Sequence, residues 1–407
     1  MLSTLLLVPV LGAALATLLP AEAGGAKRCR QIAQLVGWTQ FLLIVAWLAP
    51  NMDWARGSLQ LQQEFSWALM PGIAFGLALD HLSWLLLCAA SLAFLLMAHA
   101  PTSGSEPNST APSFKRWDAR MLGLACINCA LISTSMYAIL AAWQLLLLLA
   151  YLERLTPSTH ADATPERPDP GARRYLILSQ SAIVGIILAA AAYFQASGAS
   201  GIEPSANLYD LQSQSGSWIS LASSEDYSAF PAWTLSLQLV CCAVLLGLYP
   251  FHRCRANEQP QLLRNLATLL TVYALLRLIL PLAPDHAASA APLLIVWGVV
   301  AAGYAWMRNA KTEAFPALTF ALLGIASWQA DGGAASWLLL AVLVAAVAGI
   351  MLSLKTTTSS DGQTPLSKQA LPAVVMGGGV LVLFLVSDGL SATLQIVANT
   401  LVGEVAG

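Results

Sequence analysis

Apolar residues come in long runs along most of this chain, and short polar segments separate them. The runs predict helices over Leu2–Leu19, Gln31–Leu48, His81–His99, Met121–Ser135, Tyr137–Leu155, Tyr175–Phe194, Trp233–Tyr249, Gln261–Leu282, Pro292–Trp306, Thr312–Gln329, Ala334–Leu354 and Leu371–Val386. Most of these runs approach the roughly 20 residues that an α-helix needs to cross a bilayer. The sequence therefore predicts an all-α, polytopic transmembrane bundle of about twelve helices.

The basic residues between the runs alternate from one loop to the next. Of the 19 Lys and Arg residues, all except Arg56 and Arg277 fall at or beside every second loop. Positive charge accumulates in the cytoplasmic loops of membrane proteins. The alternation predicts an even number of helices, with both termini on the non-cytoplasmic side of the membrane.

Composition supports a membrane protein and argues against several other classes. The chain is 57% hydrophobic and 10% charged, whereas a soluble domain carries roughly 25% charged residues. No basic stripe with interleaved aromatic residues is present, so we expect no nucleic-acid partner. Cys126 and Cys129 share one helix face without the turn that metal and redox motifs use. With no phosphate loop or nucleophile triad in the sequence either, we expect no cofactor, no metal and no catalytic residue.

Charged residues inside the membrane are costly, which makes them candidates for function. Arg277 lies inside the eighth predicted helix, and we expect it to reach the interface or a neighbouring acid such as Asp285. Asp80 begins the third helix, where an acid favours the helix dipole. Glu153 and Arg154 end the fifth helix, and we expect them among the lipid head groups.

The polar residues at membrane depth are mostly neutral. They are Asn128, Ser133, Gln144, Ser181, Gln238, Thr268 and Thr271. Hydrogen bonding between helices is the role we expect for most of them. His252 follows Pro250 and Phe251 at the end of helix seven. A histidine there can titrate near neutral pH, but we favour a structural role at the interface.

Several short motifs resemble those of one membrane family. They are Gly76–Ser83 before helix three, Trp143-Gln144 in helix five, Tyr249–His252 ending helix seven, Tyr273–Arg277 in helix eight and Lys311 before helix ten. In this order, the chain resembles the antiporter-like membrane subunits of proton-pumping NADH:quinone oxidoreductase (complex I), which are kin to subunits of multisubunit cation/proton antiporters. The membrane subunits of energy-coupled inorganic-carbon uptake systems belong to the same family.

The resemblance implies an architecture and a setting. It implies the complex I antiporter-like fold as one transmembrane domain over residues 1–407. Its core helices lie at about 60–330, further helices at 334–386 and an outer-surface tail at 387–407. It implies a bacterial-type inner membrane, or an equivalent energy-transducing membrane, and other membrane subunits as partners in the lipid bilayer. The inorganic-carbon systems carry a carbonic-anhydrase-like cytosolic subunit, so a cytosolic catalytic partner is a further expectation.

The departures from the family bear most directly on function. The family has a glutamate where this chain has Gln144, and lysines where it has Leu245 and Leu269. A histidine that the family carries in helix ten has no counterpart within Phe315–Leu323. Leucine carries no proton and tunes no neighbouring pKa, so the resemblance implies that the relay from helix five to helix eight is lost.

The sequence is compatible with three interpretations. The chain is a non-conducting scaffold in a larger membrane complex, or it moves protons or cations through its remaining polar positions, or it matches the family by chance. The remaining positions are Asp80, His252, Arg277 and Lys311. The family has broken helices, so descent from it predicts that no continuous helix runs through Leu245–Pro250.

Overall fold

The computed structural model describes residues 2–19, 25–53, 60–66, 74–99, 115–155, 170–199, 207, 232–251, 262–280, 284–308 and 311–328. The α-helices among them are α1 (Leu2–Leu18), α2 (Gly25–Leu42), α3 (His81–His99), α4 (Lys115–Ile132), α5 (Met136–Leu155), α6 (Pro170–Ala199), α7 (Ala232–Leu246), α8 (Leu262–Ala274), α9 (Pro284–Met307) and α10 (Lys311–Trp328). The predicted helices Ala334–Leu354 and Leu371–Val386 and the tail at 387–407 lie outside the described residues.

Helices that can span a membrane make up most of the described chain. Six stretches are long and apolar enough, and they are Lys27–Asn51, His81–His99, Met136–Glu153, Gly171–Ala192, Leu262–Ile279 and Ala290–Met307. The helices α1, α7 and α10 add shorter apolar segments. The prediction of a multi-pass, mainly helical membrane protein is confirmed.

The all-α prediction missed one pair of strands. Strands β1 (Gln60–Ser66) and β2 (Ala74–Leu79) form an antiparallel pair within the stretch that the sequence predicts to be a loop. The pair packs on the turn between α4 and α5, where the Thr134 N–H donates to the Gly76 carbonyl at 2.9 Å. These long-range contacts fix the strands, because a pair of strands alone is only marginally stable.

Helices α3 and α8 form the centre of the bundle. Every residue from His81 to Ala98 is buried within this single chain, and 94% of the residues of the span Leu262–Ile279 are buried. Helix α8 packs against α3, α4, α5 and α7. A side chain on either helix therefore meets protein rather than lipid, which makes this the part of the molecule where polar groups find partners.

Helix α2 begins earlier than its apolar run, and polar residues of its first half have partners on α3. Helix α2 begins at Gly25, not at Gln31. Its Arg30 Nε and Gln34 Nε2 both donate to the Ala98 carbonyl, at 2.9 and 3.0 Å. Carbonyls at a helix C-terminus lack backbone partners and carry partial negative charge. The cationic turn of α2 therefore stabilises the end of α3.

Three irregular segments interrupt the helices. Leu43–Leu48 after α2 and Leu275–Ile279 after α8 are π-helical, a geometry that is rare and frequent at functional sites. Helix α7 stops at Leu246, and Gly247 follows with a φ of 64°, a conformation that favours glycine. The break predicted within Leu245–Pro250 is confirmed.

Candidate functional site: a buried ion pair and an amide pair

A buried ion pair joins the start of α3 to the π-helical end of α8. Strand β2 ends at Leu79, and Asp80 follows as the residue before α3. Its Oδ1 accepts the Ser83 N–H at 2.7 Å, as an N-cap residue does. Its Oδ2 pairs with Nη2 of Arg277, and both side chains are almost completely buried. One carboxylate thus satisfies a helix terminus and a guanidinium together.

Arg277 does not reach the membrane interface, and the acid it meets is Asp80, whereas the side chain of Asp285 lies outside the described residues. Arg277 is 4% exposed and pairs with Asp80 in the bundle centre. The reason is the position of α8, which other helices surround, so that a long cationic side chain has no direct way to lipid head groups. A buried charge is tolerated when it is paired and hydrogen-bonded.

Aromatic and hydroxyl groups surround this ion pair. Tyr273 lies one turn before Arg277, and its hydroxyl donates to the Leu131 carbonyl of α4 at 3.4 Å. Trp84 Nε1 donates to the Ile44 carbonyl at 3.1 Å, inside the first π-helical segment. Both π-helical segments therefore contribute to the same polar region. The sequence motifs indicated several of these residues but not their contacts.

A pair of amide side chains occupies the interface of α5 and α6. Gln144 Nε2 donates to Oε1 of Gln180. The remaining polar atoms, Gln144 Oε1 and Gln180 Nε2, are buried without a partner among the described residues. Gln144 was a predicted position, whereas Gln180 was missed. The sequence did contain an indication of Gln180, since it is a glutamine inside a largely apolar run.

The two positions where the family resemblance implies lysines lie in apolar surroundings. Leu269 of α8 is 4% exposed, and Leu245, in the last turn of α7, packs partly buried against the core. Neither of these side chains ionises. His252 lies outside the described residues, and Lys311 begins α10 with a side chain that is likewise outside the description.

A second buried ion pair lies at the other end of α8. Arg120 of α4 and Glu153 of α5 approach to 2.7 Å (Nε to Oε1), with side chains only 9% and 4% exposed. The expectation that Glu153 lies among head groups is therefore wrong. A signal existed, because an acid near a helix C-terminus is unfavourable unless a cation or a donor compensates it.

Between the two ion pairs, the buried groups of α8 are neutral. Asn265, Thr268, Thr271 and Tyr273 are its buried polar residues there, and Arg264 is half-buried. The threonine hydroxyls donate to carbonyls one turn earlier. Within the described part of the chain, no group of three or more His, Cys, Asp or Glu side chains is placed to hold a metal ion. The arrangement therefore fixes helices strongly and provides no continuous series of titratable groups along α8.

These features define a multi-pass membrane protein with the fold of antiporter-like membrane subunits. A chain of respiratory complex I from Thermus thermophilus superimposes with a TM-score of 0.66 at 18% identity, covering 99% of this chain and 87% of that one. A chain of the Mrp complex from Dietzia sp. gives 0.56 at 16% identity, covering 100% and 99%. One from the membrane-bound sulfane sulfur reductase, an archaeal respiratory membrane complex, gives 0.60 at 14% identity, covering 98% and 68%.

The chain is similar in sequence to NAD(P)H-quinone oxidoreductase chain 4, which confirms the resemblance seen in the motifs. The protein from Synechococcus sp. (strain WH7803) is 26% identical over 356 residues, or 81% of this chain and 58% of that one. The protein from Prochlorococcus marinus (strain NATL1A) is 25% identical over 350 residues. No protein-family model matches. The chain spans about three fifths of the length of these relatives, covering 58% and 60% of them.

Proposed function

We propose that the chain is an antiporter-like membrane subunit of a complex I-like or Mrp-type assembly, and that it moves no ion through its own interior. In this role it acts as a scaffold or partner surface for other membrane subunits. The sequence similarity to NAD(P)H-quinone oxidoreductase chain 4 and the fold shared with complex I and Mrp chains support the assembly. The side chains in the interior of the bundle support the absence of ion conduction.

The observation that carries the proposal is the stretch of α8 between the two buried ion pairs, which has no acid and no histidine. Leu263 and Arg277, which lie at these pairs, are about 21 Å apart along α8 at the rise of an α-helix. The described polar side chains of α8 between them are Arg264, Asn265, Thr268, Thr271 and Tyr273. None of these is a carboxylate or an imidazole, the groups from which proton relays in membranes are built. Gln144, Leu245 and Leu269 are neutral at the three positions where the family resemblance implies a glutamate and two lysines.

The proposal includes a sidedness. The alternation of basic residues supports about twelve helices with both termini on the non-cytoplasmic side. The β1–β2 pair and Asp80 then lie toward the non-cytoplasmic face, and Glu153 lies toward the cytoplasm. A cytosolic catalytic subunit would bind at the Glu153 face.

A second candidate function rests on the Asp80–Arg277 pair. A buried ion pair at a π-helical segment is a possible element of ion coupling. In this alternative the subunit translocates protons or cations, and Asp80 and Arg277 take part together with His252 and Lys311.

Flux in vesicles separates the two functions. The purified full-length chain is reconstituted into liposomes that contain a pH-sensitive dye, and a potassium diffusion potential drives proton entry. The scaffold function predicts a rate equal to that of protein-free liposomes, with a protonophore added last to demonstrate that the potential was present. Flux above that rate which falls in an Asp80→Asn variant contradicts the scaffold function and supports translocation. The variant Gln144→Glu/Leu245→Lys/Leu269→Lys is expected to create no flux.

A further inference from the structure

Glu153 contacts two other helices through its two carboxylate oxygens. Its Oε1 accepts Nε of Arg120 in α4 at 2.7 Å. Its Oε2 accepts the backbone N–H of Leu263 at 3.4 Å. Leu263 is the second residue of α8, so the carboxylate lies at the positive end of that helix dipole. The end of α5 is thereby joined to α4 and to the start of α8.

Leu263 is also held through its side chain. A Cβ added at Gly123, which lies one turn after Arg120 in α4, would be 2.0 Å from Leu263 Cδ2 and 3.4 Å from Leu146 Cδ1. A larger residue at position 123 would therefore force the Leu263 side chain to shift. The guanidinium of Arg120 also lies 4.9 Å from the ring centroid of Trp117, a cation–π contact that favours the same position of the guanidinium.

Arg277 lies beyond the other end of α8. Helix α8 continues directly into the π-helical segment Leu275–Ile279, and Arg277 pairs there with Asp80. A shift of α8 along its axis by one residue moves every side chain about 1.5 Å, which exceeds the tolerance of a hydrogen bond. The register of α8 at Leu263 therefore determines whether Arg277 meets Asp80.

We propose that Arg120, Gly123 and Glu153 act as a clamp that sets the register of α8 and so positions Arg277 for its pairing with Asp80. These three residues are called the α8 clamp below. They are positioning residues for the polar cluster at the opposite end of the helix. The inference goes beyond the proposed function, because it concerns how the cluster is assembled whether or not an ion passes.

Hydrogen–deuterium exchange tests the α8 clamp on the full chain in lipid nanodiscs. Glu153→Gln removes the charge that binds Arg120 and Leu263. Exchange is expected to become faster by at least about tenfold at residues 262–266 and also at 81–86, where the Ser83 N–H bonds Asp80. Arg174→Gln is the matched control, because Arg174 is an exposed cation of α6, and it leaves both segments unchanged.

Gly123→Ala provides a second test if Glu153→Gln fails to fold. It keeps both charges and displaces Leu263 by a single methyl group, and the same faster exchange is expected at 81–86. Faster exchange confined to residues 117–123, 150–155 and 262–266 overturns the proposal, because the clamp then has only local effects.

The Asp80→Asn background distinguishes positioning from general loosening. Asp80→Asn alone is expected to make hydrogen–deuterium exchange at residues 81–86 faster. Adding Glu153→Gln to this variant is expected to cause no further increase in exchange there. Effects that add in the double variant contradict transmission through α8, because independent distant sites are additive.

Discussion

Asp80 and Arg277 illustrate why a buried charge constrains its neighbours so strongly. A charge removed from water loses its hydration, and an ion pair with further hydrogen bonds offsets that loss. Asp80 bonds the Ser83 N–H in addition to pairing with Arg277. Removal of one partner leaves the other charge buried without its counterion, whereas removal of both leaves a neutral site.

Removing both partners is therefore expected to destabilise the protein less than removing either one alone. Arg277→Leu or Asp80→Asn alone lowers the free energy of unfolding by about 3–5 kcal/mol. The double variant Asp80→Asn/Arg277→Leu recovers more than half of that loss. Unfolding in detergent titrated with dodecyl sulfate measures the difference, and Arg174→Leu on the exposed face of α6 serves as the control. A double variant as unstable as the sum of the singles contradicts the account.

Asn128 is explained by a proline in another helix. Pro9 in α1 has no N–H, so the Leu5 carbonyl lacks the hydrogen-bond donor that it would normally find four residues later. Asn128 Nδ2 of α4 donates to that carbonyl at 3.0 Å. The hydrogen bond predicted for Asn128 from its membrane depth is present, and its acceptor is a backbone group that Pro9 leaves free.

The consequence is a conditional effect of substitution. Asn128→Leu is expected to lower the free energy of unfolding by about 0.6–1.7 kcal/mol. In a Pro9→Leu background, the Leu5 carbonyl regains an intrahelical partner, so the effect of Asn128→Leu becomes smaller. The same unfolding titration measures both. An equal loss in the two backgrounds argues that Asn128 acts through something other than Leu5.

Helices α9 and α10 pack on each other more closely than bulky side chains allow. A Cβ at Gly298 would lie 2.5 Å from the Ala321 backbone nitrogen, and one at Gly324 would lie 2.8 Å from that of Ile295. Small residues that permit close backbone approach are typical of helix interfaces in membranes. The pair is tied to the rest of the bundle where Trp297 Nε1 donates to the Tyr249 carbonyl at 2.7 Å, directly after the break in α7.

Glycine substitutions in this helix pair come with an internal control. Gly298→Ala and Gly324→Ala are expected to separate α9 from α10 and to destabilise the pair by about 1–3 kcal/mol, the cost of overpacking. Gly303→Ala lies on the same α9, where an added Cβ meets nothing within 4 Å, and it is expected to be neutral or slightly stabilising. Thermal unfolding in detergent measures all three. Equal destabilisation at Gly303 contradicts close packing as the cause.

Sequence predicted elements better than contacts. The span His81–His99 was predicted with the bounds that the structure has, because an uninterrupted apolar run identifies a helix that crosses a membrane. The β1–β2 pair was missed, since its polar strand has no core face and depends on the turn at Thr134. The partner of Arg277 was missed because Asp80 is far away in the chain, and spacing within one helix carries no information about it. Glu153 was misplaced for the same reason.

For the molecule as a whole, the orientation of the chain in the membrane determines which end of α8 faces the cytoplasm. Two exposed residues report on the two faces, Gln62 in β1 and Arg174 in α6. In a cysteine-free background and right-side-out membrane vesicles, a membrane-impermeant maleimide is expected to label Gln62→Cys at once. Arg174→Cys is expected to react only after permeabilisation, because basic residues favour the cytoplasm. The reverse pattern of labelling contradicts the assigned orientation.

The central claim is that this subunit keeps an antiporter-like scaffold and provides no path for ions. The most direct measurement uses the assembly that copurifies with the tagged chain, reconstituted in vesicles and driven by its own electron donor or by an imposed potential. Asp80→Asn/Arg277→Leu removes the charged pair while leaving the site neutral. Proton flux per assembled complex equal to that of the wild type is the predicted result. A flux that falls in this variant, with the complex intact and equally abundant, contradicts the account.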